Sequence, residues 1–125
     1  MKLKEISYIH SEAYAAGELK HGTISLIEEG TPVVALATGS ELFDKTVSNI
    51  KEVKARGASV ICLTKKIEEY KNDICDFVIN LPATSEIFMP SLAVIPLQLF
   101  AYYVASLKGS DIDKPRNLAK SVTVE

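Results

Sequence analysis

The stretch that decides the fold is PVVALATGSELFDKTVSNIKEVKARGASVICLT, residues 32–64. It opens with an apolar run, residues 32–38, of the kind that forms a strand buried on both faces. Apolar residues then recur at helical spacing over residues 41–57, and a second apolar run follows at 58–64. A strand, a helix and another strand in this order predict a right-handed crossover between parallel strands.

The segments around this stretch extend the same pattern. Ser40 is expected to cap the first turn of the helix, and Gly57 is expected to end it. A third apolar run at 75–82 predicts another strand, and the polar residues 65–73 before it predict a short helix or a loop. The predicted fold class is therefore α/β, with three layers and a parallel sheet.

Composition excludes several classes of function. The chain has 125 residues, which suits one domain, with 47% hydrophobic and 24% charged residues and a formal net charge of -2. It has no cluster of basic residues, so we expect no nucleic-acid partner. Cys62 and Cys75 lie in apolar runs without the spacing of metal ligands, which predicts reduced, structural thiols and no metal site. The N-terminus has no apolar core of a signal peptide, and a cytoplasmic location is expected.

One long uncharged stretch, residues 87–107, reaches the length of a membrane span. Pro90 and Pro96 interrupt it, so a membrane span is the less favoured interpretation. We expect instead a helix from Ser91 to Lys108 that ends at Gly109. Because this helix is apolar nearly all round, it needs cover on more than one side, which indicates a subunit interface.

The two ends of the chain carry the residues that can take part in proton transfer. The first 21 residues are rich in helix formers and lack an N-cap, so the chain is expected to begin inside a helix of a longer protein. Lys2 and Glu5 share one face of that helix, either as a proton-transfer pair or as a solvated ion pair worth a few tenths of a kcal/mol. His21 fits an acid–base role and a helix-end cap equally, whereas His10 is expected to be structural. By itself, Lys120 is an ordinary surface lysine in a polar tail.

The turn Thr38-Gly39-Ser40 stands between a strand and a helix, where backbone N–H groups can hold an anion. It matches neither the P-loop nor the dinucleotide-binding pattern. An ordinary capped turn explains the same residues better, and the turn is not counted as a site.

Both ends of the chain resemble one enzyme family. KLKEISYIHSEAYAAGELKHG at 2–22 and DKPRNLAKSVTVE at 113–125 resemble hallmark stretches of glucosamine-6-phosphate synthases, the isomerizing glutamine–fructose-6-phosphate aminotransferases. The strands and helices between them resemble the second sugar-isomerase (SIS) domain of that family. The resemblance implies a flavodoxin-like SIS domain over residues 1–125 that lacks its first strand, with residues 109–125 as a tail that contributes to the sugar site.

The resemblance also implies an activity and roles for four residues. In the family, fructose 6-phosphate and glutamine-derived ammonia become glucosamine 6-phosphate, without a cofactor. Glu5 matches the base that moves a proton between two sugar carbons, and Lys2 matches the residue that accompanies it. His21 matches the ring-opening histidine contributed by the neighbouring subunit of a homodimer, and Lys120 matches the lysine that forms a Schiff base with the sugar.

Parts of the family's machinery are missing from this chain. The glutaminase domain and the first SIS domain, which carries the phosphate-binding loop, are both absent from the sequence, so we expect the chain alone to be inactive. Two alternatives remain: a module that binds a sugar phosphate without turnover, and a structural dimerisation domain built on the helix at 91–108. The joint presence of Glu5, His21 and Lys120 favours the enzyme, because a sensor needs no Schiff-base lysine.

Overall fold

The computed structural model describes residues 2–65 and 74–116 of the chain. The elements, in chain order, are α1 (Lys2–Ser7), two 3-10 helices (Ala16–His21 and Thr23–Leu26), β1 (Pro32–Ala37), α2 (Phe43–Lys54), β2 (Ser59–Thr64), β3 (Phe77–Asn80) and α3 (Met89–Leu107). The chain divides into two compact units, with one boundary between them inside α3. We call residues 2–13 with 94–116 the terminal unit, and residues 14–93 the sheet unit.

The three strands form one parallel sheet in the order β1-β2-β3. Pro32 pairs with Ser59 at the start of β1, and Ile61 pairs with Phe77 at the start of β3. The middle strand, β2, is the most deeply buried, as expected of a strand with neighbours on both sides. The predicted α/β class, its parallel sheet and its strand–helix–strand order are confirmed. The polar connection predicted at 65–73 lies, apart from Lys65, outside the described residues.

The core of the sheet unit forms between α2 and the sheet. Phe43, Ile50 and Val53 are the buried residues of α2, and they pack against strand residues such as Val60 and Cys62. Their spacing of seven and three residues places them on one face of the helix. Burying an apolar side chain of this size contributes roughly 1.5–3 kcal/mol, so this face fixes α2 against the sheet.

The end of α2 agrees with the sequence prediction, but its start does not. Gly57 has φ +90°, its N–H donates to the carbonyl of Lys54 at 2.9 Å, and the next N–H donates to the carbonyl of Val53 at 3.2 Å. This pair of bonds is the Schellman pattern that glycine favours. The prediction that Ser40 caps the helix is wrong. The helix begins at Phe43 without a side-chain cap, because the hydroxyl and N–H of Ser40 donate to Glu86.

The N-terminal helix is much shorter than expected from the first 21 residues. It ends at Ser7, whose hydroxyl donates to the carbonyl of Leu3 at 2.5 Å. Tyr8 follows in the left-handed region with φ +59°, which the right-handed helix cannot continue through. Residues 8–15 contain no helix, and helical structure returns only in the 3-10 helix at Ala16–His21.

The long apolar helix is confirmed, with its start two residues earlier than predicted. Gly109 ends it with φ +67° and a bond from its N–H to the carbonyl of Ser106 at 2.9 Å. Ala101 and Ala105 of α3 are buried with Ile6 of α1 and form the core of the terminal unit. By length and composition α3 is also the one helix of the described residues that is able to cross a membrane, a test that buried helices of soluble proteins also pass.

The two cysteines are free, with Cys62 buried and Cys75 half-buried. Burial, followed by the neighbouring Cys62 thiol, raises the pKa of Cys75 to about 12. A thiol with that pKa is almost wholly protonated at neutral pH and is a poor nucleophile. No group of three His, Cys, Asp or Glu side chains that could hold a metal ion occurs within residues 2–65 and 74–116.

Candidate functional site

Lys2 and Glu5 form a pair on one face of α1, as their spacing predicts. The Lys2 Nζ lies 3.3 Å from a carboxylate oxygen of Glu5. The side chain of Lys2 is 65% exposed and that of Glu5 only 24% exposed, so the carboxylate is the more shielded partner. Packing of Ile6 into the core of the terminal unit fixes the rotation of α1 and therefore the direction of this pair. An ammonium beside a partly shielded carboxylate is able to move protons on a bound molecule.

The end of α1 is tied to the C-terminal part of the terminal unit by three contacts. The Lys108 Nζ donates to the carbonyl of Ser7 at 2.6 Å. The backbone N–H of Arg116 donates to the Tyr8 hydroxyl at 2.9 Å, and the Arg116 guanidinium carbon lies 4.2 Å from the centre of the Tyr8 ring. The second and third contacts combine a hydrogen bond with a cation–π interaction between the same two residues. We call Tyr8 and Arg116 the tail anchor.

A local turn shapes the chain between α3 and the tail anchor. The Asp111 carboxylate accepts the N–H of Asp113 at 3.0 Å and that of Lys114 at 2.9 Å, which is the pattern of an Asx turn. Ile112 packs against the core of the terminal unit. The first residues of the tail therefore have a defined course up to Arg116.

Sequence reasoning did not single out the tail anchor. Tyr8 and Arg116 are 108 positions apart, and neither belongs to a local pattern that predicts a contact. Both lie inside or beside the family-like stretches at the two ends of the chain, which is the only signal that could have directed attention to them.

His21 lies in the sheet unit, as the last residue of the first 3-10 helix. Its position at a helix end is confirmed, and Gly22 follows with φ +134°. The His21 side chain is 75% exposed, and its Nε2 lies 3.9 Å from a carboxylate oxygen of Glu18. An exposed imidazole with a carboxylate nearby remains accessible to another molecule. His10 is also on the surface, 3.3 Å from the carboxylate of Glu12.

Of the four predicted site residues, the structure brings Lys2 and Glu5 together. His21 belongs to the other compact unit. Lys120 lies outside the described residues.

Three polar side chains meet at the edge of the sheet where the parallel strands end. Glu86, beyond β3, accepts the hydroxyl and the N–H of Ser40, the latter at 3.3 Å, and its carboxylate lies 3.9 Å from the Nζ of Lys65. These two hydrogen bonds from Ser40, with a smaller contribution from Lys65, lower the pKa of Glu86. The Ser40 donors of the turn at 38–40 thus already have an anionic partner within the chain.

A shallow, solvent-open cleft of about 430 Å³ lies at the opposite edge of the sheet. Asp76 lines it and accepts the Nζ of Lys54 and the N–H of Val60, the latter at 2.7 Å. The hydrogen bond from Lys54, followed by that from Val60, lowers the pKa of Asp76. This carboxylate ties the end of α2 to the start of β2, which is a structural role.

Comparison with known proteins identifies the family. The model of the SIS domain family matches residues 1–108. The chain belongs to the SIS domain family. This SIS domain is also 65% identical, over all of its 125 residues, to the isomerizing glutamine–fructose-6-phosphate aminotransferase of Clostridium tetani. It is 55% identical to the enzyme of that name from Thermus thermophilus, and it spans 21% of the length of each of these two relatives.

Solved structures show which part of the relatives this SIS domain matches. The C-terminal domain of glucosamine-fructose-6-phosphate aminotransferase from Francisella tularensis superimposes with a TM-score of 0.83 and 48% identity, over 90% of this chain and 32% of that one. Glucosamine-6-phosphate deaminase from Thermotoga maritima superimposes with a TM-score of 0.73 and 28% identity, over 97% of this chain and 34% of that one. The resemblance to the C-terminal region of the aminotransferases is therefore confirmed.

Proposed function

We propose that this SIS domain is the C-terminal isomerase part of a glutamine–fructose-6-phosphate aminotransferase, which converts fructose 6-phosphate and glutamine-derived ammonia into glucosamine 6-phosphate. The observation that carries the proposal is identity of 65% along the whole chain with an aminotransferase of that name. The Lys2–Glu5 pair supports it, because the two side chains assigned to proton transfer are in contact. Since the chain spans 21% of that relative, turnover requires the remaining parts and the chain alone is inactive.

The proposed chemistry begins with Lys120. Its amine adds to the C2 carbonyl of the open-chain sugar, and loss of water leaves an imine, which is a better electron sink than a ketone. Ammonia then replaces the lysine at C2 and sets its amine free. Glu5 removes a proton from C1 of the protonated imine, which gives an enamine, and returns one to C2. The C1 hydroxyl loses its proton in the same step, which leaves an aldehyde at C1 and an amine at C2. Because the imine supplies the electron sink, the reaction needs no cofactor or metal.

His21 and Lys2 have supporting roles in the proposal. His21 opens the sugar ring by moving a proton between the ring oxygen and the anomeric hydroxyl. Its exposed imidazole is suited to act in the site of a second copy of the chain, as the resemblance implies. Lys2 accompanies Glu5, whose carboxylate lies 3.3 Å from its ammonium group. In the proposal this ammonium group donates a hydrogen bond to a sugar oxygen that gains charge as the proton moves.

The proposed assembly is a cytoplasmic homodimer in which a glutaminase domain and a first SIS domain complete the site. Val94, Ile95 and Leu99 of α3 are partly exposed, which suits a helix that another surface covers. The tail at 109–125 contributes to the sugar site. The partners are then fructose 6-phosphate and glucosamine 6-phosphate, with no nucleic acid and no membrane.

Borohydride trapping tests the proposal and separates it from a binding-only or structural SIS module. The complete enzyme that carries this chain is incubated with fructose 6-phosphate and sodium borohydride, and the modified peptide is located by mass spectrometry. We expect a reduced sugar adduct on Lys120, which Lys120→Arg abolishes and the control Lys45→Arg, on the exposed surface of α2, leaves unchanged. A wild-type enzyme that binds the sugar but gives no adduct at Lys120 would overturn the enzyme proposal.

Glu5 is tested by exchange of the sugar protons with solvent. Glu5→Gln keeps the shape of the side chain and removes its basic oxygen. We expect the variant to form the Lys120 adduct but to exchange the C1 proton of the bound sugar with deuterium roughly 10²–10⁴ times more slowly, the usual contribution of a general base. Exchange at the wild-type rate would assign the base to another residue.

A further inference from the structure

We infer that the tail anchor, Tyr8 with Arg116, positions the tail so that Lys120 is delivered to the proton-transfer pair on α1. Both are positioning residues for the reaction, and neither is assigned a contact with the sugar. The inference rests on the proposed function, in which Lys120 forms the imine and Glu5 moves the proton. Glu5 and Lys120 are 115 positions apart in the sequence. The inference adds that a contact between the end of α1 and the start of the tail links them.

The geometry of the tail anchor suits a fixed attachment point. Tyr8 uses both of its chemical features on one partner, because its hydroxyl accepts the Arg116 N–H at 2.9 Å and its ring faces the guanidinium carbon at 4.2 Å. A hydrogen bond and a cation–π contact act in different directions, so together they restrict rotation as well as distance. The left-handed conformation of Tyr8 is uncommon for a non-glycine residue, and strained residues of this kind cluster at functional sites.

The anchor sits immediately beside the residues it would serve. Glu5 precedes Tyr8 by three residues in the sequence, and α1 ends at Ser7, directly before Tyr8. The adjacent contact from Lys108 to the carbonyl of Ser7 fixes the same end of α1 to the residue that follows α3. The Lys2–Glu5 pair therefore lies on α1, and the attachment point of the tail at Tyr8 directly follows that helix.

Because the tail is attached at Arg116, the number of residues between Arg116 and Lys120 limits the distance between Lys120 and the anchor. Lys120 follows Arg116 by four positions, and these four steps along the chain span at most about 14 Å when fully extended. Without the anchor, the last core contact of the tail is Ile112, which leaves a tether twice as long. Because effective concentration falls roughly as the −3/2 power of tether length, we expect the anchor to raise the local concentration of the lysine about threefold, before any gain from orientation.

Two single variants separate the two contacts of the anchor. Tyr8→Phe removes the hydroxyl that accepts the Arg116 N–H and keeps the ring. Arg116→Ala removes the guanidinium and keeps the backbone N–H, and Arg116→Lys restores a cation above the ring. The matched control is Arg56→Ala, which removes an exposed arginine from the end of α2, where it donates to the carbonyl of Glu52.

The test measures the rate of borohydride-trapped adduct formation at Lys120 in the complete enzyme, together with kcat and KM. We expect Arg116→Ala and Tyr8→Phe each to lower the trapping rate and kcat by threefold or more, with KM for fructose 6-phosphate changed less than kcat. Arg116→Lys should recover part of the loss, and Arg56→Ala should match the wild type. A wild-type trapping rate in both anchor variants would overturn the inference and leave the proposed function intact.

A second measurement needs no sugar and does not depend on the proposed function. Hydrogen exchange of the Arg116 amide, followed by NMR on the same protein, reports the bond to Tyr8 directly. We expect the amide to be protected in the wild type and to exchange faster in Tyr8→Phe. Equal exchange rates in the two proteins would show that the Tyr8–Arg116 bond does not form. A protected Arg116 amide in a wild-type enzyme that gives no adduct at Lys120 would instead refute the proposed function.

Discussion

Gly57 closes the last turn of α2 in a place where a larger residue does not fit. It has φ +90°, and a Cβ at this position would lie 2.0 Å from a carboxylate oxygen of Glu29 and 2.9 Å from the Cα of Glu29. The side chain of Glu29 can move away, but its backbone cannot do so without moving the start of β1. We expect Gly57→Ala to lower the free energy of unfolding by about 1–3 kcal/mol, measured by urea denaturation.

Gly17→Ala is the matched control for this change. Gly17 lies in the first 3-10 helix, and a Cβ there would meet nothing within 4 Å. We expect its unfolding midpoint to equal that of the wild type or to rise slightly. Equal midpoints for the two variants would show that Glu29 adjusts without cost and that the left-handed conformation is not required.

Asp76 makes the stability of the sheet unit depend on pH. Hydrogen bonds from Lys54 and then Val60 lower its pKa in the folded state below the ordinary value of 3.8. A carboxyl group with a lowered folded pKa stabilises the fold above its unfolded pKa, and this contribution is lost as pH falls through the folded value. We expect the urea midpoint of the wild type to fall as pH is lowered below 3.8, and Asp76→Asn to lose less stability over the same window.

The control for Asp76→Asn is a substitution of a carboxylate that accepts no hydrogen bonds of the kind that Asp76 accepts from Lys54 and Val60. Asp113→Asn changes an exposed side chain of the terminal unit, and it should retain the full pH dependence of the wild type. If Asp76→Asn and the wild type instead lose stability in parallel below pH 3.8, the contacts of Asp76 with Lys54 and Val60 do not act on the folded state.

The local sequence predicts which segments of the sheet unit form helices and strands. It does not always predict the residue at which an element begins or ends. The apolar spacing at 41–57 and the glycine at its end are enough to place α2, because those signals act within one turn. Its start depends on Ser40, and the partner of Ser40 is Glu86, 46 positions away. A long-range partner of this kind leaves no local signal, which is why a capped helix was expected there.

The candidate site also has one part that the local sequence predicts and another part that it does not. The Lys2–Glu5 contact follows from spacing alone, since residues three apart on a helix share a face. The local sequence leaves His21 equally an acid–base group or a helix-end cap and makes Lys120 an ordinary surface lysine, so the particular roles proposed for them came from the resemblance. The tail anchor was not foreseen, since Arg116 meets Tyr8 only after α3 has returned the chain to α1.

The exposed face of α3 should govern association of the protein. Leu99 is half exposed on this helix, with Ile95 exposed one turn before it and Tyr103 one turn after it. A charge in the middle of this row would have to be buried when a second copy covers it. We expect Leu99→Glu to shift the proposed dimer towards monomer in sedimentation equilibrium, with its circular dichroism unchanged.

Gln98→Glu places the same charge on an exposed polar position of the same helix, one residue and roughly 100° away from Leu99, and should leave the proposed dimer intact. If both variants remain dimeric, the apolar row of α3 is not the interface between copies. If both become monomeric, the effect arises from added charge on the helix and not from this row.

The whole chain is too short a part of its relatives to act alone in the proposed reaction. It spans 21% of the aminotransferase from Clostridium tetani. We expect the isolated chain to form no glucosamine 6-phosphate in a coupled assay with fructose 6-phosphate and glutamine, or with ammonium in place of glutamine. The complete enzyme assayed in parallel should form it, and full turnover by the isolated chain would refute the proposed division of labour.

The position of β2 between its two neighbours has a practical consequence. In the described part of the chain, β1 and β3 each pair along one side only, so each leaves a row of backbone donors and acceptors open. Such rows recruit further strands, either from the same polypeptide or from other molecules. When this SIS domain is produced by itself, we expect aggregation through these open rows to limit its solubility, and charged or proline substitutions in the outer strands to oppose it.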